Sequence, residues 1–162
     1  MIRNISMTFG SEPILSKIKK DNPDRDLILY DALNNRNELM LLDVSGKDSI
    51  FKSLVQYDVL SHGGTDDWHG FISFIATKLD IDQQKVFDAR INQLMSNPLP
   101  SGMHSIYSLH SYKNINERVL LTTWNSPTQF EMWKKANPLL MPETYNNDPS
   151  FYSHESNFKF VH

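Results

Sequence analysis

The chain contains no cysteine, only six glycines among 162 residues, and no long run of apolar side chains. Without cysteine there is no disulfide framework, no thiolate nucleophile and no cysteine-ligated metal centre. Neither a G-x-x-x-x-G-K phosphate loop nor a G-x-S-x-G nucleophile elbow occurs. No stretch of about 18 apolar residues could span a membrane, and the N-terminus lacks the apolar core of a secretion signal. We therefore expect a cytoplasmic protein with no membrane partner.

The charge balance is small, with a formal net charge of −3. Nothing in that balance calls for nucleic acid or an anionic membrane surface as a partner. Hydrophobic residues make up 40% of the chain and charged residues 22%, which is ordinary for a globular protein. The length suits one domain, or two small ones fused.

The most informative stretch covers residues 119–137, VLLTTWNSPTQFEMWKKAN. Its apolar, β-branched first part predicts a strand. Ser126 can then cap a helix that has proline at its first position and Gln129 three residues after the cap, which is the pattern of a capping box. Phe130 and Trp133 follow at helical spacing, so the predicted helix has one strongly aromatic face.

The elements before residue 61 are predicted in the order β-α-β-β-β. Glycine, proline and asparagine punctuate the apolar runs and set these bounds. The predicted elements are a strand over 2–8, a short helix after a cap at 11, a hairpin of 27–30 and 39–44 around a turn at 34–37, and a strand within 50–60. Residues 61–67, SHGGTDD, contain no apolar side chain and are the best candidate for a boundary.

The elements after that boundary are predicted in the order β-α-β-β-α-β. The apolar run 68–79 fits a helix or a strand, but a good helix begins at Asp80, with Gln83 three residues on, so the run is a buried strand. The later elements are a hairpin of 104–111 and 117–124 around a turn at 113–116, a helix over 127–136, a loop over 137–150 and a last strand over 151–161. This is the ferredoxin-like order.

A strand followed by W-x-S-x-x-x-F-x-x-W resembles the antibiotic-biosynthesis-monooxygenase (ABM) superfamily. Trp124, Ser126, Phe130 and Trp133 match that pattern here. The resemblance implies an α+β protein with a ferredoxin-like domain of the kind that pairs into a dimeric α+β barrel, and agrees with the predicted order of elements.

A second resemblance covers the N-terminal part. Residues 6–23, the hairpin after them and the closing 154–162 resemble the TRAP-like proteins of Gram-positive bacteria, which have an extra lobe before an ABM domain and are related to Isd-type haem monooxygenases. We therefore predict a smaller N-terminal lobe over 1–65 and an ABM-like domain over 66–162. Because that lobe can cover the open face of the sheet, we expect a pseudo-dimeric monomer, with a homodimer as the alternative.

The Isd-type resemblance implies haem chemistry, but two of its three functional positions differ here. Trp133 matches the tryptophan of the second helix. The position of the axial histidine, ten residues later, is Glu143, and the asparagine of the first strand aligns with Phe74, beside Ser73 and Ile75. A carboxylate is a poor substitute for an imidazole ligand to haem iron. We therefore expect no cofactor, with haem bound weakly if at all and not degraded.

Some members of the superfamily oxidise aromatic substrates without a cofactor, which needs a base or a hydrogen-bond donor beside an apolar pocket. His104 and His110 share one face of their predicted strand with Ile106 and Ser108. If that face points into the barrel, His110 would border the pocket and hydrogen-bond the substrate. The alternative is that both histidines lie near the strand ends and are solvated.

These residues predict a monooxygenase acting on an apolar or aromatic small molecule in a barrel pocket, rather than a haem-degrading enzyme of the usual kind. The alternative is a non-catalytic ligand-binding, stress or signalling protein of the same fold. The residues expected to shape the pocket are Trp133, Trp124, Phe74, Phe130 and Glu143.

A metal site is not expected. His62, Asp66, Asp67 and His69 crowd one predicted loop, but their spacing matches no standard set of metal ligands. Acidic loops with a nearby histidine are usually solvated.

Overall fold

The computed structural model of the protein describes residues 2–33, 38–52, 54–111, 113–136 and 153–162. These residues form eight strands and three helices. In chain order the elements are β1 Asn4–Gly10, α1 Glu12–Asp21, β2 Leu27–Ala32, β3 Leu39–Asp43, β4 Val55–Gly64, β5 Phe71–Lys78, α2 Ile81–Met95, β6 Met103–Ser111, β7 Asn114–Trp124, α3 Pro127–Ala136 and β8 Ser153–Phe160.

The eight strands close into one antiparallel barrel in the order β1-β3-β2-β8-β5-β7-β6-β4. Read from β4, the first four strands follow the order β4-β1-β3-β2 and the last four the order β8-β5-β7-β6. Each group has the order fourth-first-third-second of a ferredoxin-like sheet. Pairing of β2 with β8 and of β4 with β6 joins the two groups.

The predicted α+β class and the ferredoxin-like order of the second half are confirmed. The first half also has the predicted order β-α-β-β-β, but its strands complete the same barrel and are hydrogen-bonded to the second half along both edges. The division into a lobe over 1–65 and a domain over 66–162 stays a prediction. The predicted turn at 34–37 and loop at 137–150 lie outside the described residues.

In the described part of the chain the core has three clusters, one inside the barrel and two outside it, as the alternation of side chains along the strands requires. Among the described residues, fourteen buried side chains from both halves lie in the barrel interior, including Tyr30, Trp68, Phe74 and Tyr107. A second cluster lies outside the barrel wall, beneath α2 and α3, and includes Phe71, Ile75, Trp124, Phe130 and Trp133.

A capping box and an ion pair to the sheet hold α2 in place, and a hydroxyl caps the start of α3. Asp80 and Gln83 form the predicted capping box at the start of α2, with distances of 2.8 and 2.9 Å. Arg118 on β7 then binds Asp88 on α2 through two contacts of 3.0 and 3.1 Å. The cap of α3 differs from the prediction, because the Gln129 side chain meets the Ser126 hydroxyl rather than its backbone N–H.

The predicted boundary at 61–67 is partly strand, since β4 continues to Gly64. The two glycines are needed here for close packing rather than for a turn. A Cβ on Gly63 would lie 3.0 Å from the Met95 side chain, and a Cβ on Gly64 would lie 2.2 Å from the His104 carbonyl oxygen. Glycine in a strand often marks such a close approach. The turn between β6 and β7 is also shorter than predicted, because Ser111 already pairs with Asn114.

No helix in the described part of the chain is long and apolar enough to cross a membrane.

Candidate functional site

A pocket of about 510 Å³ lies where the end of α2, the turn before β6 and the length of α3 meet. Its volume is in the range of small-molecule sites. The described residues that line it are Leu94, Pro100, Ser101, Gln129, Met132, Trp133 and Ala136. None of these side chains is charged, so the described wall is apolar with two neutral polar groups, Ser101 and Gln129. We call it the α2–α3 pocket.

The back of the α2–α3 pocket is a cluster of tilted and edge-on aromatic rings between α3 and the sheet. Trp133, which is 7% exposed, packs on Trp124 with ring centroids 5.5 Å apart. Phe130 contacts Trp124 at 5.8 Å and Phe71 at 5.4 Å. The indole N–H of Trp124 donates to the Thr122 hydroxyl at 2.8 Å, which satisfies its polar atom. These contacts hold Trp133 in a fixed position at the pocket wall.

The structure brings together three of the residues predicted for the site, Trp124, Phe130 and Trp133. It places Phe74 on the opposite face of the barrel wall, where its ring packs on Phe158 in the barrel interior at 5.8 Å. Phe74 therefore cannot shape a pocket together with Trp133. Glu143 lies outside the described residues, and its assignment stays a prediction.

Ser73 occupies the position on β5 that faces the helices. Its neighbours Phe71 and Ile75 belong to the cluster beneath α2 and α3, so alternation places Ser73 on that side and Phe74 on the other. Ser73 is fully buried, and its hydroxyl has no hydrogen-bond partner within the described ranges. Ser73 therefore places this hydroxyl beneath the helices, whereas Phe74 lies in the barrel interior.

His110 lies away from the α2–α3 pocket. Tyr107 and Leu109 of β6 point into the barrel, so the face with Ile106 and His110 points outward, contrary to the orientation that a role in a barrel pocket requires. His110 Nδ1 is 4.0 Å from the carboxylate of Asp58 on β4. The α2–α3 pocket lies outside the barrel, on the side of the wall that α2 and α3 cover. A catalytic role for His110 stays a prediction.

A second pocket, of about 600 Å³, opens beside Trp68 at one end of the barrel. Its wall includes Arg25, Asp26, Asp66 and His69, so it is far more polar than the α2–α3 pocket. Arg25 is already paired with the buried Asp43 at 2.9 Å. An apolar molecule therefore suits the α2–α3 pocket better.

The histidine and aspartate side chains of the end of β4 and the residues after it, beside that second pocket, form pairs with one another or with Tyr107. The Tyr107 hydroxyl donates to Asp66, and the His62 ring stacks on Tyr107 at 4.2 Å. Burial, followed by the Asp66 carboxylate, raises the pKa of Tyr107. Asp67 pairs with His69 at 3.2 Å. Among the residues with described positions, no group of three His, Cys, Asp or Glu could bind a metal ion.

Sequence reasoning missed Leu94, Ser101 and Gln129 as pocket residues. The spacing of Gln129 from the cap residue Ser126 predicts only that it completes a capping box. Its second contact, with the turn before β6, joins elements that are distant in sequence. No local pattern reveals that contact.

No protein-family model matches the sequence, and no curated protein is significantly similar to it. Solved structures are similar over nearly the whole chain. A ferredoxin-fold protein related to antibiotic biosynthesis monooxygenases, from Listeria monocytogenes, has 19% identity and a TM-score of 0.77 over 99% of this chain and 95% of its own. LmHde, a haem-degrading enzyme from the same organism, has 20% identity and a TM-score of 0.75 over 98% and 100%.

A third structure, of a major regulator of staphylococcal pathogenesis, has 16% identity and a TM-score of 0.80 over 99% of this chain and 100% of its own. At these identities the likeness concerns the fold. The predicted ABM-type fold is therefore confirmed, and the similarity extends through the N-terminal half as well as the ferredoxin-like half. Function has to be argued from the pocket.

Proposed function

We propose that the protein binds an apolar or aromatic small molecule in the α2–α3 pocket and acts on it as a monooxygenase. The observation that supports binding is the 510 Å³ pocket with an uncharged described wall and the Trp133 ring at its back. Burying a flat apolar ring against such a wall contributes about 25 cal/mol per Å² of apolar surface removed from water. The fold likeness to ABM-related structures supports the choice of oxygenation.

The proposed reaction needs no reductant. An activated methylene, flanked by two aromatic rings that also share a ketone as in anthrone, is oxidised by molecular oxygen, R₂CH₂ + O₂ → R₂C=O + H₂O, with all four electrons supplied by the substrate. Loss of the methylene proton makes that ketone oxygen an oxyanion. The protein would exclude water, orient the ring against Trp133 and stabilise a substrate oxyanion through the Gln129 amide and the Ser101 hydroxyl. The methylene proton would pass to water at the pocket mouth.

Haem is the cofactor that the Isd-type resemblance implies, and the described wall does not fit it. That wall offers no imidazole, thiolate or phenolate as a strong iron ligand, and Met132 supplies its one thioether. It also offers no lysine or arginine to pair with the two propionates. We therefore assign haem no part in the proposed reaction.

Non-catalytic binding is the second candidate. It is favoured by one feature of the described wall, which contains neither an imidazole nor a carboxylate to serve as a general base.

The first test is binding of N-phenyl-1-naphthylamine, a neutral apolar dye whose fluorescence rises on leaving water. We expect saturable binding that Met132→Lys weakens, because the lysine replaces an apolar side chain of the wall with a charged one. Thr128→Lys adds the same charge to an exposed position of α3 outside the pocket wall and should leave binding unchanged. Absence of saturable binding would rule out the proposed site.

The second test is oxygenation of anthrone under ¹⁸O₂. We expect ¹⁸O-labelled anthraquinone above the background without protein, and less of it with Met132→Lys. Dye binding together with background oxidation would favour the non-catalytic candidate.

A further inference from the structure

The carboxamide of Gln129 occupies a position that only a glycine opposite it allows. Gly102, in the turn before β6, has a φ of +86°, and a Cβ there would lie 2.2 Å from both Cδ and Oε1 of Gln129. The side-chain amide therefore packs against Gly102 in the space that a Cβ would fill. Asn125 holds this turn in place, because its backbone N–H donates to the Gly102 carbonyl at 2.9 Å.

The oxygen of the Gln129 amide already accepts a hydrogen bond, whereas the nitrogen donates none to a described residue. The Ser126 hydroxyl, at the N-cap of α3, donates to Oε1 at 3.4 Å. The Nε2 group donates to no acceptor within the residues that the structure describes, although Gln129 lines the α2–α3 pocket. An amide donor that is held in place at an apolar wall can hydrogen-bond an acceptor on a bound molecule at little cost in side-chain entropy.

The rest of the wall limits what that acceptor can be. Ser101 supplies the other polar side chain, and the described wall has no cation. A carboxylate or phosphate on the ligand would lose its hydration without gaining a counter-charge, which is unfavourable. A neutral oxygen, such as a carbonyl, would keep a hydrogen bond and bring no charge to be compensated.

We propose that Gln129 is the specificity-determining residue of the α2–α3 pocket and selects planar aromatic ligands that carry a neutral, hydrogen-bond-accepting oxygen. This inference rests on the proposed function, because it assumes that the pocket binds an apolar molecule. It adds the chemical class of the ligand and the residue that hydrogen-bonds it. It also adds the contact with Gly102, which positions that residue.

The test compares 2-acetylnaphthalene with 2-isopropenylnaphthalene, which differ by a C=O in place of a C=CH₂ and have nearly the same shape. Affinities are measured by displacement of N-phenyl-1-naphthylamine. We expect the ketone to bind about three- to tenfold more tightly, the range of one net hydrogen bond. The carboxylate 2-naphthoate should bind more weakly than either.

Gln129→Met keeps the length and helix propensity of the side chain and removes the donor. We expect the ketone preference to fall to about one. Gln93→Met, at an exposed position of α2 outside the pocket wall, is the matched control and should keep the preference. Gly102→Ala, in protein shown to be folded by circular dichroism, should also lower the preference, because its Cβ displaces the amide.

The outcomes separate this inference from the proposed function. If the dye does not bind and neither naphthalene binds, the proposed function is wrong, and so is this inference. If both naphthalenes bind equally well to the unmodified protein, or if Gln129→Met keeps the ketone preference, binding stands and the role of Gln129 is overturned.

Discussion

Trp133 is the residue on which the pocket and the outer core both depend. Its ring is 7% exposed and packs on Trp124, so Trp133→Ala should lower the free energy of unfolding by about 3–5 kcal/mol, the usual cost of removing a large buried aromatic. Met132→Ala, on the neighbouring exposed side chain, is the control and should change it by less than about 1 kcal/mol. Urea unfolding measures both. Equal stability of the two variants would mean that Trp133 is not an anchor.

Tyr57 and Glu117 predict that the free energy of unfolding depends on pH above pH 10. Burial, followed by the Glu117 carboxylate, raises the pKa of Tyr57 to about 12. Unfolded tyrosine ionises near pH 10, so between pH 10 and 12 the unfolded chain has lost a proton that the folded chain keeps. The stability contributed by Tyr57 is therefore present below pH 10 and is lost as the pH rises through this window.

Tyr57→Phe should make that loss of stability between pH 10 and 12 shallower, by about 2 kcal/mol at most over the window. Glu117→Gln should lower the pKa of Tyr57, because the neighbouring carboxylate is gone. Chemical unfolding at several pH values measures the first effect and tyrosinate absorbance the second. An identical pH slope in Tyr57→Phe and the unmodified protein would contradict the assignment.

Residue types and spacing predicted the aromatic cluster but not which side of the wall each residue faces. Trp124, Phe130 and Trp133 were found from a local strand-cap-helix pattern. Phe74 and Ser73 differ by one position, and in a strand one position reverses the face. The register of β5 against β7 and β8 decides that face, and it depends on strands far away in sequence.

At the scale of elements, the capping box of α2 predicts how much a helix cap contributes to the stability of the protein. Asp80→Ala removes the acceptor of the Gln83 N–H and should cost about 1 kcal/mol. Asp80→Asn retains a good capping group and should cost much less. Thermal unfolding of the two variants side by side measures the difference. An equal loss in both would show that charge, rather than capping, stabilises this helix end.

Element boundaries followed from sequence wherever a cap or a turn residue marks them. The starts of α2 and α3 were predicted to the residue, because Asp80 and Ser126 precede them with glutamine three residues on. The end of β4 was missed, because Gly63 and Gly64 look like turn residues. Their real role is to let β4 approach Met95 of α2 and the backbone of β6.

The closed barrel gives a prediction for the whole molecule. Eight strands of one chain close the ring, so no strand edge of the barrel needs a second copy. We expect a pseudo-dimeric monomer, and light scattering should give a mass near 18.8 kDa. A mass near twice that value would contradict the prediction and favour a homodimer.

Closure of the barrel could not be predicted from sequence in detail. The order of elements in each half was readable from periodicity and turn residues. The pairing of β2 with β8 and of β4 with β6 joins residues more than forty positions apart, and no local signal encodes it. The α2–α3 pocket lies outside the ring of strands that this closure forms.

The most direct test of the central claim is the location of the bound ligand. Methionine methyl groups report it, because Met132 lines the α2–α3 pocket whereas Met7 and Met40 lie in the barrel interior. In protein labelled with ¹³C-methyl methionine, saturating 2-acetylnaphthalene should shift the Met132 resonance and leave those of Met7 and Met40 in place. Shifts of Met7 and Met40 with an unchanged Met132 would place the ligand inside the barrel and contradict the account.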